Sequence, residues 1–106
     1  MKIIKYNKLI RDRIPEIIES SGKKAIVEKV EGEELLTVLN KKLFEELKEY
    51  EESGQVEELA DLVEVVQAIL DYKNISLEDF NKIRENKNIA RGGFKEGLLL
   101  VQVIEE

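Results

Sequence analysis

The chain has no cysteine, no histidine and no tryptophan among its 106 residues, a single proline, and only 6% aromatics. Without thiols there is no disulfide framework, no Cys-ligated zinc or iron–sulfur cluster, and no thiol nucleophile. Without imidazole a Ser-His-Asp triad and a histidine-held metal are excluded. No run approaches the ~18 consecutive apolar residues of a membrane span, and no apolar h-region follows the opening lysines. The expectation is therefore a cytoplasmic protein that neither crosses nor enters a membrane. Basic charge is short as well: 17 Lys and Arg face 23 Asp and Glu, a net charge of −6. That balance opposes nucleic acid and anionic membranes as partners of the whole surface. Carboxylates, amines, guanidinium groups, phenols and hydroxyls remain for chemistry. The cofactor they can hold is a hard cation bound through oxygen.

Apolar residues make up 42% of the chain, enough at this length for one core, so residues 1–106 are read as a single domain. Residues 2–6 are too short for more than an edge strand. Asn7 can cap a helix that runs to about Ser20, with Ile10, Ile14, Ile17 and Ile18 as its stripe. Pro15 requires that helix either to start nearer Ile14 or to bend, and Gly22 ends it. Residues 25–30 alternate in the manner of a half-exposed strand. A second helix runs from Gly32–Glu33 to about Glu52, its stripe being Leu36, Leu39, Leu43, Leu47 and Tyr50. After the break at Ser53-Gly54 a third helix runs from about Gln55 to Tyr72. Ser76 caps a short fourth helix over Leu77–Arg84, with Asp79 in the capping-box place. The apolar run from Leu98 to Ile104 suits a strand that pairs with 25–30. The expected fold is mainly α: an antiparallel helical hairpin or bundle with a small accessory β-sheet, which survives only by packing on the helices.

The segment from Lys42 to Asp61 is the informative one. Two helices joined at Ser53-Gly54 should be antiparallel neighbours. Counted outward from the break, Glu49 and Glu58 are equidistant, and so are Glu46 and Asp61. The rungs are three residues apart, ~4.5 Å at the helical rise, so each helix offers an i, i+3 pair of acids. Helical phase puts Glu46 on the edge of the apolar stripe, Glu49 one step further round, and Glu45 further out. On the third helix Leu59, Leu62, Val63, Val66, Ile69 and Leu70 form one apolar face and Val65, Ala68 and Tyr72 a second flank, with Glu58 and Asp61 inside it; Glu57, Glu64 and Asp71 form the polar strip. An i, i+3 pair of glutamates in so acidic a chain is often a solvated face. Acids among apolar neighbours are costly unless paired or metal-bound, and four mutually repelling carboxylates are relieved by one divalent cation. Mg²⁺, or Mn²⁺ in its place, held by carboxylates without histidine points to phosphate chemistry.

At these residues the sequence resembles the all-α NTP pyrophosphohydrolase (MazG-like) superfamily. The shared pieces are Glu46-Leu-Lys-Glu49 and Glu58-Leu-Ala-Asp61, matching its paired acidic motifs. Over nearly the full length the chain is similar to a small phosphoribosyl-ATP pyrophosphohydrolase-like group, through Tyr6–Pro15, Leu43–Glu49, Glu57–Asp61 and Arg91-Gly-Gly-Phe94. The resemblance implies Mg²⁺-dependent hydrolysis of a nucleoside triphosphate between its α- and β-phosphates, with cleansing of non-standard nucleotides as one use. It implies that Glu46, Glu49, Glu58 and Asp61 hold the metal, that Glu45 orients or deprotonates the attacking water, and that the protein is a homo-oligomer, dimer or tetramer. A third helix apolar on two flanks agrees with self-association. The stretch between the acidic pairs is shorter here than in longer members.

Among the cations, Lys8, Arg11, Arg13, Arg91 and Lys95 are candidates to meet phosphate oxygens. Lys8, Arg11 and Arg91 are preferred, although any one such cation is more often a surface ion-pair partner. Gly92-Gly93 can present backbone N–H groups to a phosphate, or simply form a turn. The six aromatics, at helical spacing, read more readily as core than as base-stacking platforms. Two alternatives stay open beside general NTP pyrophosphohydrolysis. One is hydrolysis of phosphoribosyl-ATP in histidine synthesis; the other is an inactive helical dimerisation or regulatory module.

Overall fold

The structure is a computed structural model that describes residues 1–106 throughout. It is helical: α1 Ile14–Ser20, α2 Gly32–Ser53, α3 Val56–Tyr72 and α4 Leu77–Arg91, with no strand. The chain divides into two compact units, Met1–Asn74 and Ile75–Glu106. No helix is long and apolar enough to cross a membrane.

In the first unit α2 packs against α3. Gly54 caps α2 with φ 68°, a left-handed turn that a side chain would strain, and its N–H donates to the Tyr50 carbonyl at 2.7 Å. Only Gly54 and Gln55 separate the two helices, so contact along their lengths requires the chain to double back. The seam is built from the stripes that periodicity marks. Leu39 on α2 and Val65 and Leu70 on α3 are buried, with Leu36, Leu43, Leu62, Val66 and Ile69 half-buried around them. Phe44, Leu47, Leu59 and Val63 carry the same stripes out into solvent. The polar strip Glu57, Glu64 and Asp71 is exposed as its phase requires.

Pro15 decides between the two readings of the first helix. It occupies the first turn of α1, where its missing N–H costs nothing. Asn7 is no cap: it lies upstream of the helix in a left-handed conformation, φ 49°, which asparagine tolerates better than most residues.

In the second unit the Ser76 hydroxyl accepts a hydrogen bond from the Asp79 N–H at 3.1 Å, as its spacing predicts. α4 then continues seven residues past Arg84, to Arg91. Residues 85–91 have no apolar stripe to mark them as helical, yet nothing in them breaks a helix until Gly92, which is the C-cap. Phe80 and Asn81 are the half-buried residues of this helix, and residues 82–106 are exposed.

The expected accessory sheet is corrected. Residues 2–6, 25–30 and 98–104 form no ladder, and no backbone hydrogen bond ties 25–30 to 98–104. Alternation and apolar runs show which face a segment would bury once paired; they do not supply the partner. Ile26, Leu98, Leu99, Leu100 and Val101 all remain largely exposed. Aromatic burial is also less than expected, since Tyr6, Phe44 and Phe94 face solvent, while Tyr50, Tyr72 and Phe80 are half-buried.

Candidate metal centre

Packing of α2 on α3 turns sequence spacing into proximity. Each of Glu46, Glu58 and Asp61 offers one carboxylate oxygen, and these three oxygens lie within 4.8 Å of one another. Glu46 comes from α2, and Glu58 and Asp61 from the i, i+3 positions of α3. Glu46 is 6% exposed, the one buried charged residue of the protein, whereas Glu58 and Asp61 are half-buried.

The buried carboxylate is under electrostatic stress. Its Oε2 has no hydrogen-bond partner, and its Oε1 lies 3.4 Å from the Lys42 ammonium one turn earlier. Burial, and then the Glu49 carboxylate beside it, push the Glu46 carboxyl above the usual carboxylate range, while Lys42 pulls in the opposite direction. A buried oxygen without a partner costs about 1–3 kcal/mol.

The donor set fits a hard divalent cation. In an octahedral ion with ~2.1 Å bonds, adjacent ligand oxygens stand about 3.0 Å apart and opposite ones about 4.2 Å apart. Three oxygens within 4.8 Å reach that spacing by small side-chain rotations, and the hydration Mg²⁺ retains fills the remaining positions.

Cations rim the cluster on one side. Arg11, in the segment before α1, reaches Asp61 with Nη2 to Oδ1 at 2.6 Å. Lys8, Ile10, Arg11, Ile14, Lys42, Glu46 and Asp61 line a cleft of about 260 Å³. Lys42 is not among the cations that the sequence singles out, although it stands three residues before Glu45 and four before Glu46, the spacing at which a lysine meets acids on the same helix face.

The other candidates fall as follows. Glu49 is exposed and outside the three-carboxylate group, adjoining Glu46. Thus one rung, Glu46 with Asp61, closes together with Glu58, and Glu49 stands at its edge. Glu45 points partly outward and pairs with Lys42 at 3.4 Å. Lys8 is exposed, with its ammonium 5.7 Å from the centroid of the Tyr6 ring. Arg13 pairs with Glu16 at 3.3 Å, in solvent. Arg91 ends α4 and is exposed, as is Lys95; both belong to the second unit, whereas every residue lining the cleft belongs to the first.

Comparison of the chain with protein-family models, curated proteins and solved structures finds no match. The reading of the site therefore stands on its own residues.

Proposed function

We propose that this protein is a Mg²⁺-dependent nucleoside triphosphate pyrophosphohydrolase with the helical-hairpin architecture of the MazG-like enzymes. The observation that carries this reading is the buried, unpartnered Oε2 of Glu46 within a three-carboxylate group. Lys42 faces the other oxygen of that carboxylate, Oε1, and an all-oxygen donor set suits a hard cation. The cation-lined cleft alongside supplies what a phosphate chain requires.

In this reading Glu46, Glu58 and Asp61 hold the ion, with Glu49 entering directly or through water. When bound, Mg²⁺ (or Mn²⁺) supplies charge neutralisation on the phosphates and lowers the pKa of a coordinated water. Water attacks the α-phosphorus, the bond to the bridging α–β oxygen breaks, and the products are a nucleoside monophosphate and pyrophosphate. Arg11 and Lys8 bind phosphate oxygens, the guanidinium in bidentate fashion. Glu45, held by Lys42 at the edge of the group, is the base that orients or deprotonates the attacking water. The solvent-facing residues Phe44, Leu47, Leu59 and Val63 support a homo-oligomer that buries them.

The test is a panel of nucleoside triphosphates assayed for pyrophosphate release with Mg²⁺, with Mn²⁺ and with chelator, phosphoribosyl-ATP being one member. Release that requires the metal and disappears in Asp61→Asn supports the proposal, and the preferred member names the substrate. A folded protein that binds neither Mg²⁺ nor any nucleotide overturns it in favour of a helical interaction module.

A further inference from the structure

Two carboxylates of the cluster carry a cation supplied by the chain itself. Asp61 holds the Arg11 guanidinium at 2.6 Å, and Glu46 faces the Lys42 ammonium at 3.4 Å. These pairs differ from ordinary surface ion pairs in their location. Both cations line the same cleft as the acids they neutralise, and Lys8 lines it as well. The Lys42 side chain is only 17% exposed. Lys42 lines the cleft together with Ile10 and Ile14, and a lysine can move its ammonium while its methylene stem stays on apolar surface.

We propose that Lys42 and Arg11 are exchangeable counter-cations: each neutralises a cluster carboxylate until a divalent ion displaces it, and each then turns to bind the phosphate chain. The proposal rests on the metal-site reading above and extends it to regulation of that site. Its charge balance is simple. Two monocations leave the carboxylates as one dication arrives, so the cluster keeps its net charge, while the cleft gains two cations free for an anion. Metal binding therefore improves the site for a polyphosphate, and a polyphosphate that draws Lys42 and Arg11 away improves the site for metal. Such coupling is reciprocal by necessity. It also neutralises two of the three acids while no divalent ion is bound, which lessens their mutual repulsion.

Substitution of Lys42 separates exchange from a merely structural role, because exchange moves two affinities in opposite directions. Lys42→Met leaves the stem and removes the competitor. By calorimetry it should bind Mg²⁺ alone about tenfold more tightly than wild type, the scale of one lost competing charge near a protein surface. At saturating Mg²⁺ it should bind inorganic pyrophosphate about tenfold more weakly, through loss of one charge-assisted contact. Lys42→Arg, which retains the charge, should return both towards wild type. If Lys42→Met fails to fold by circular dichroism, Arg11→Gln reports the same opposed shifts through Asp61. Wild-type Mg²⁺ binding with unchanged or weakened affinity in the folded variant overturns the exchange while sparing the metal site. Absence of Mg²⁺ binding in wild type overturns both.

Discussion

Replacement of Glu46 by glutamine removes one charge from the cluster while nearly preserving shape, and metal cancels the stability it brings. In the metal-free protein the substitution relieves a buried carboxylate whose Oε2 has no partner and whose neighbour Glu49 repels it. Relief of that kind is worth about 1 kcal/mol, or about 5 °C in the melting midpoint of a domain this size. With Mg²⁺ at about ten times its dissociation constant, wild type should gain RT ln 11, about 1.4 kcal/mol and hence about 7 °C. Loss of a charged ligand weakens affinity by at least the 10–100-fold seen for supporting residues around metals. At the same Mg²⁺ concentration the variant then gains about 0.4 kcal/mol or less, about 2 °C. Glu46→Gln should be about 5 °C the more stable in chelator and lose that advantage in Mg²⁺, where both proteins should melt about 7 °C above wild type in chelator. Differential scanning fluorimetry measures this, with Na⁺ at matched ionic strength as the control for screening. Equal Mg²⁺-induced shifts in the two proteins would refute Glu46 as a ligand.

The pH dependence of the same pair follows from the raised carboxyl of Glu46. A carboxyl raised on folding contributes stability that is full below its ordinary value of 4.5 and is lost as pH rises through the higher folded value. The metal-free advantage of Glu46→Gln should therefore be greatest near neutrality and shrink towards pH 4.5; an advantage that grows on acidification contradicts the assigned burial. Arg11→Ala should weaken nucleotide binding in steady-state kinetics yet cost under ~1 kcal/mol in urea unfolding, because both partners of its ion pair are substantially exposed, at 56% and 40%. Leu39→Ala, at the buried α2–α3 seam, should cost about 2–4 kcal/mol in the same unfolding experiment and lower Mg²⁺ affinity as the carboxylates lose register. Phe44→Glu, on the exposed continuation of the stripe, should leave the metal-free secondary structure intact by circular dichroism and shift any oligomer to monomer by light scattering.

Sequence alone determined the long helices. The 3.6-residue recurrence of leucines set out α2 and α3 to within a residue or two of their observed ends, since amphipathic periodicity is a local property of the chain. Equal distances from Ser53-Gly54 set Glu46 opposite Asp61, and the fold brings these two together with Glu58; Glu49, set opposite Glu58 by the same count, stands outside the group. The absence of histidine and cysteine then limited the ligands to oxygen. Tertiary structure decided what depends on partners far along the chain. It left 25–30 and 98–104 unpaired, because a strand exists only in a ladder. It brought Arg11 across 50 positions to Asp61 and set Lys42 beside a buried Glu46. Burial of Glu46, and with it an Oε2 without a hydrogen-bond partner, arises only when one helix covers another.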